Sequence, residues 1–294
     1  MQKKKKIRPF DILNYTIMIL VGMLCILPFV HLLAVSFSES SAVSAGKVGL
    51  LPVDFTLQSY EFALTGGKFL RALLVSVKRV ILGCGTNMVL MVLTAYPLSK
   101  TKRDLMGRNI YMGFFVVTMI INGGLIPTYL VVTKAGLLNS MWALILPGAL
   151  PVYNMIILMN FIRGLPEELE EAAKIDGAGK LTVLIRIVLP LLKPALATVG
   201  LFCMVNHWND WFSGMIYMQS PENYPLQTYL QTLLRNFDEI LKSAGSDYAQ
   251  LISMMNARTG RAAQLFLGAL PIMLVYPFLQ KYFTTGLVIG SVKG

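Results

Sequence analysis

Apolar residues in this chain fall in long runs rather than in the strict alternation of half-buried strands. A helix needs roughly 20 mostly apolar residues to cross a bilayer. Six stretches reach about that length: Ile12–Phe37, Val80–Leu98, Ile110–Val132, Met141–Phe161, Pro190–Tyr217 and Ala262–Phe283. Each is expected to be a helix, because lipid offers no partner to an open strand edge. The predicted architecture is an all-α integral membrane protein with six transmembrane helices. A basic tail over residues 1–11 precedes a single transmembrane domain over 12–294. Two runs are interrupted. Asn122-Gly123-Gly124 with Pro127 breaks the third, and Pro147 and Pro151 bend the fourth. Broken helices expose backbone to a substrate; close helix packing accounts for the small residues equally well.

Composition agrees with this class. Hydrophobic residues make up 55% and charged ones 14%, against about 25% charged in a soluble domain. The net charge of +11 first suggests a polyanionic partner, but its distribution follows the membrane. Lys3 to Lys6 and Arg8 precede the first acid, Asp11; Lys100, Lys102, Arg103 and Arg108 follow the second span; five basic residues lie between Arg163 and Lys193. The positive-inside rule makes these segments, and both termini, cytoplasmic. Lys78 and Arg79 break the pattern at the outer end of the second span. Either they snorkel to the headgroups or the span starts later. No recognition-helix pattern supports nucleic-acid binding. Cys25, Cys84 and Cys203 sit in apolar runs without metal-ligand spacing and read as buried free thiols. No catalytic or metal site is expected, because intramembrane acids are nearly absent. The apolar run after the basic tail is followed by no small-x-small cleavage site before Ser36, so a retained first span is expected.

The most informative polar stretch separates the fourth and fifth spans. Pro166 can open a helix without losing a bonded N–H. Glu167, Glu168, Glu170 and Glu171 favour its positive N-terminal end. Gly177 and Gly179 close it. Leu169, Ala172, Ala173 and Asp176 share one face, and two adjacent alanines leave that face flat enough for close approach by another surface. Leu181, Leu184, Ile185, Val188 and Leu189 then recur at helical spacing, as in a segment lying in the membrane interface. An ordinary interfacial loop helix has the same composition; the order of residues adds more.

Glu171-Ala172-Ala173, three residues, Gly177, nine residues, Ile187-x-Leu189-Pro190 resembles the coupling-helix signature of permease subunits in binding-protein-dependent ABC importers. Every position of the signature is filled. The resemblance implies a type I ABC importer permease fold with a cytoplasmic coupling helix at about 166–180. It implies that Glu171 contacts an ATPase, Ala172 and Ala173 form the packing surface, and Gly177 makes the sharp turn. The chain has no Gly-x4-Gly-Lys-Ser/Thr phosphate loop, so it binds no cofactor itself; ATP and Mg belong to partner ATPases. The partners implied are a second permease subunit forming a heterodimer, two cytoplasmic ATPase subunits, and an extracellular solute-binding lipoprotein. The location implied is the bacterial cytoplasmic membrane.

Further stretches resemble the carbohydrate-importing, maltose-permease-like branch: Asn206-His207-Trp208-Asn209-Asp210-Trp211-Phe212, and the ending from Phe283-Thr284-Thr285-Gly286-Leu287 to Gly294. Ser36-Phe37-Ser38, Leu51 to Thr56, Gly123 to Pro127 and Ser220 to Gln227 are similar to permeases assigned to aldouronate or other uronate oligosaccharides. Asn206 to Trp211 and Asn122 are the candidate translocation path, since polar groups within a span face a cavity or a partner helix and sugars suit indole faces and amides. Interfacial anchoring by tryptophan is the competing reading, and His207 alone reads as a packed histidine. The alternative substrate class is a non-sugar solute such as an amino acid or phosphate, because the coupling motif is shared. Two long connections, 38–79 and 219–261, face outward in this orientation. The second starts with a rigid turn over Ser220 to Pro225 and continues into an amphipathic helix from Leu226 to Leu241, a surface suited to an extracellular protein.

Overall fold

The computed structural model describes residues 9–64, 67–243, 258–275 and 277. The basic tail up to Arg8, the C-terminal stretch from Phe283 and the end of the sixth predicted span lie outside the described residues.

Two compact units partition the chain: Met1–Phe69 with Thr232–Leu270, and Leu70–Gln231 with Pro271–Gly294. In the first unit, helix α1 spans Pro9–Ser36. It is apolar on all sides and long enough to cross a bilayer unaided, and its side chains from Phe10 to Val30 are largely exposed. Cys25, expected to be buried, lies on that exposed surface; a helix apolar all round presents a thiol to lipid or to a partner as readily as to a core. The short helices α2 (Ser40–Ser44) and α3 (Gln58–Leu64) follow. The Ser36-Phe37-Ser38 motif knits these elements to the 51–56 tract. Ser36 Oγ meets Tyr60 Oη at 2.8 Å, Ser38 Oγ accepts the Val53 N–H at 3.0 Å, and Phe37 O accepts the Thr56 N–H at 2.9 Å. Phe37 packs against the rings of Phe55 and Tyr60 at 5.3 and 4.9 Å. A helix over 258–275 also belongs largely to this unit.

The second unit begins within α4, Lys68–Ser99, the other helix among the described residues able to cross alone. It starts well before the expected Val80, so Lys78 and Arg79 lie inside it rather than at its end. Among the described residues, the segments of the third, fourth and fifth expected spans are bent. Helices α5 (Arg108–Ile120) and α6 (Leu125–Lys134) meet at 113°. The break falls at Ile121 to Gly124, where Gly124 takes φ +86°, open to glycine but strained for other residues. At about 20 and 15 Å, neither half reaches across the roughly 30 Å hydrocarbon core alone, so the third span, expected to break at Asn122 to Gly124, is a sharply folded pair. Two 3₁₀ turns, Met141–Leu144 and Leu146–Gly148, lead at 55° into α7, Val152–Arg163. After α8 (Glu168–Ile175), α9 (Lys180–Val183), a π turn over Leu184–Val188 and α10 (Leu189–Leu191) run into α11, Lys193–Asn209, through an 82° bend. Proline at 190 lacks the N–H that an α-helix needs and crowds the carbonyl four residues back; the π turn directly before it absorbs the misfit. The straight helix expected from Pro190 to Tyr217 thus starts at Lys193 and stops at Asn209. Helix α12, Phe212–Tyr217, continues it after a break.

Beyond α12, Pro221–Asn223 forms a 3₁₀ turn and α13 spans Leu226–Ser243. The turn is held by Asn139, whose Oδ1 accepts from the N–H groups of Gln219 and Ser220 and from Asn223 Nδ2 at 3.1–3.4 Å. The core of this unit joins Met91 and Ala95 of α4, Met155, Leu158 and Met159 of α7, and Val188, Val199 and Cys203 of the fifth-span segments.

Candidate coupling surface and translocation path

The acidic helix α8 is two turns long, about 12 Å. Its C-terminus is built by Gly177 at φ +80°. The Ala178 N–H bonds Ala173 O at 2.9 Å and the Gly177 N–H bonds Lys174 O at 3.0 Å, the paired pattern of a Schellman motif. Ala173 and Ala178 supply the apolar contact that accompanies it, both packed in the unit's core. Gly177 thus makes the turn that closes α8.

The two alanines part company. Ala173 is buried in the chain's own core, whereas Ala172 is exposed. At 100° per residue, Glu168, Glu171, Ala172 and Ile175 form the face opposite Ala173 and Glu170. All four are exposed, Ile175 at 86%. Ala173 thus packs α8 onto its own subunit, and Leu169 and Asp176 flank the outward face rather than centre it. Ile187 and Leu189 are half-buried against the same core, and Pro190 is exposed at the start of α10.

A second tie fixes α8. Glu170 forms an ion pair with Lys100, just past the end of α4, at 2.5 Å. The Tyr96 hydroxyl donates to Glu170 at 3.4 Å, and the Lys100 ammonium sits 4.3 Å from the Tyr96 ring centre. These groups edge a cavity of about 320 Å³ that Leu93, Leu105, Leu181 and Leu184 also line. At its mouth, the Thr101 hydroxyl donates to Asp104 at 2.8 Å and holds that carboxyl below its usual range, helped by Lys174. The sequence reading had assigned Glu170 only a macrodipole role; the acid facing a basic residue just beyond the second span was the available signal.

The candidate path residues also separate. His207 and Trp208 are buried. His207 packs so tightly on α4 that a Cβ at Gly83 would lie 2.5 Å from its Nε2. Asp210 is bound to Arg79: the carboxylate pairs with the guanidinium, and the Asp210 carbonyl accepts from Arg79 Nη1 at 2.7 Å. His207 and Trp208 are thus packed inside the chain, and Asp210 is held by Arg79. Asn206 and Asn209 are exposed on one face of α11, and Trp211, in T-shaped contact with Phe212, is 39% exposed. Asn122 is exposed in the third-span break, where its Oδ1 accepts the Gly124 N–H at 2.9 Å. The exposed amide and indole groups of this set are therefore Asn206, Asn209 and Trp211, with Asn122 on a separate break. Arg79 was missed as the partner of Asp210; an arginine and an aspartate each placed within or beside an apolar run was the signal. No group of three or more potential metal ligands occurs among the described residues.

Several known proteins are similar to this chain over most of its length. The polygalacturonan/rhamnogalacturonan transport system permease protein YtcP of Bacillus subtilis (strain 168) is 40% identical over 98% of this chain and 100% of its own length. Protein LplC of the same organism is 40% identical over 100% of this chain and 98% of its own. A crystal structure of a bacterial ABC transporter involved in the import of the acidic polysaccharide alginate contains a chain that superposes with a TM-score of 0.85 at 28% identity, covering 96% of this chain and 99% of that one. The family model for the binding-protein-dependent transport system inner membrane component matches residues 89–288. With most of the chain matched by that model and two full-length relatives at 40% identity, this protein belongs to the family of binding-protein-dependent transport system inner membrane components.

Proposed function

We propose that this chain is one permease subunit of an ATP-driven ABC importer that carries a uronate-containing oligosaccharide into the cell. The observation carrying the substrate class is that full-length similarity runs to a polygalacturonan/rhamnogalacturonan permease and to a transporter involved in alginate import, and these polysaccharides all contain uronate sugars. The exposed Asn206, Asn209 and Trp211 support it chemically: amides hydrogen-bond hydroxyls and carboxylates, and an indole stacks on a sugar ring. The outward face of α8 supports the drive. Glu168, Glu171, Ala172 and Ile175 offer two charges around a small apolar patch, a surface that fits a cleft on an ATPase. Such an ATPase pair would bind ATP and Mg and rock α8, and through Ala173, Glu170 and Gly177 the rest of this subunit. A second permease subunit would supply the other wall of the path, and an extracellular binding lipoprotein would deliver the sugar. Both termini then lie on the cytoplasmic side.

The test is uptake in proteoliposomes holding the full complex, ATP inside and binding protein outside. Labelled trigalacturonate is expected to accumulate only with ATP. Accumulation of an amino acid or phosphate in its place overturns the substrate class.

A further inference from the structure

We infer that Arg79 is a positioning residue: a buried polar seam along α4, centred on it, holds the broken ends of the fourth and fifth spans and so fixes the Asn206–Asn209–Trp211 face. The seam consists of Ser76, Arg79, Gly83 and Asn87, spaced three, four and four residues apart and hence on one side of the helix. Ser76, Arg79 and Asn87 are each 1% exposed. Ser76, Arg79 and Asn87 each meet a discontinuity in a neighbouring element. Ser76 Oγ accepts the N–H of Leu226, the first residue of α13, at 2.7 Å. Arg79 Nη1 donates to the carbonyl of Asp210, the residue capping α11, at 2.7 Å; Nη2 donates to Leu144 O, the end of the first 3₁₀ turn, at 3.4 Å, and pairs with the Asp210 carboxylate. Gly83 admits His207. The Asn87 amide, oriented to donate, reaches Ala149 O, just past the second 3₁₀ turn, at 3.2 Å.

A helix that stops leaves backbone groups without intrahelical partners. Inside a membrane no water satisfies them, so interrupted helices persist only where neighbouring groups do. The seam supplies such groups at three breaks. The planar fork of arginine is what lets one side chain serve two carbonyls and a carboxylate together; lysine is a point donor without that fork. Asp210 in turn accepts the Ser213 N–H at 3.1 Å, which starts α12. Charge and geometry converge on the Asp210–Trp211 joint, one residue from Asn209. The consequence for transport rests on the reading of Asn206, Asn209 and Trp211 as the sugar-facing set; the positioning itself does not.

The experiment uses the full complex in proteoliposomes with trigalacturonate as probe. Arg79→Lys is expected to keep assembly and basal ATP hydrolysis while lowering uptake about tenfold, the scale of one lost charged hydrogen bond. The exchange Arg79→Asp with Asp210→Arg is expected not to restore uptake, because it rebuilds the ion pair but not the bonds to Leu144 O and the residue-210 carbonyl. Wild-type uptake in Arg79→Lys, or full rescue by the exchange, overturns the inference. A second readout needs no substrate: with Cys25, Cys84 and Cys203 replaced by alanine, a Trp211→Cys reporter is labelled with a membrane-impermeant maleimide. Adding Arg79→Lys is expected to change its labelling rate several-fold; an unchanged rate overturns the positioning role. Failure of the wild-type complex to take up any oligosaccharide instead removes the substrate reading, and the labelling result still decides the seam.

Discussion

Replacing Glu170 with glutamine tests how firmly the acidic helix is tied to its own subunit. The Glu170 and Lys100 side chains are 13% and 21% exposed, so the pair lies between two regimes. Exposed pairs contribute about 0.2–1 kcal/mol, while removing one partner of a fully buried pair costs about 3–5 kcal/mol. Glutamine keeps a neutral acceptor near Lys100 and the Tyr96 hydroxyl, and Lys100 keeps the Tyr96 ring. A loss of about 2 kcal/mol follows, in line with a hydrogen bond to a charged group. Converted at 1.4 kcal/mol per factor of ten, that is about a 30-fold rise in local opening. Hydrogen exchange measured by mass spectrometry on nanodisc-embedded protein reads it directly. A peptide covering α8 and its glycine cap is expected to exchange about 30-fold faster, with α7 unchanged. Lys100→Glu combined with Glu170→Lys is expected to recover much of the protection. Unchanged exchange in α8 after Glu170→Gln refutes the reasoning, as does an equal rise across α7, which would mean global loosening.

Other outcomes follow from single contacts. Gly83→Ala drives a Cβ into the His207 ring and is expected to cost about 1–3 kcal/mol as overpacking, read as a fall in melting temperature; adding His207→Ala is expected to relieve part of it. Gly177→Ala meets no atom within 4 Å, so its penalty is conformational alone, about 1–2 kcal/mol for a left-handed residue, and is expected to appear as faster exchange confined to the end of α8.

The sequence made some features legible because they are local. Apolar run length marked the two long helices, and proline and glycine marked the bends near Asn122 and Pro147. Gly177 was readable as a cap because a chain that reverses at a helix end favours glycine. What escaped depends on tertiary placement. Lys78 and Arg79 read either as snorkelling residues or as a late start to the second span, but Arg79 is neutralised by Asp210, 131 residues away, and the helix extends back to Lys68. Two adjacent alanines look equivalent in a motif; only the rotation of α8 against Val183 and Leu184 of its own core sends Ala173 inward and Ala172 outward. The same holds for Asn206 to Trp211, where a single helix face separates the buried His207 and Trp208 from the exposed Asn206 and Asn209.

The central claim is that the outward face of α8 meets an ATPase in the cytoplasm. Cysteine crosslinking in the assembled complex tests it most directly, with Ala172→Cys or Ala173→Cys in a background lacking Cys25, Cys84 and Cys203. Ala172→Cys is expected to crosslink to the ATPase subunit and Ala173→Cys to remain uncrosslinked. Labelling of Ala172→Cys in intact cells by a membrane-impermeant reagent, with no crosslink to the ATPase, would contradict the account.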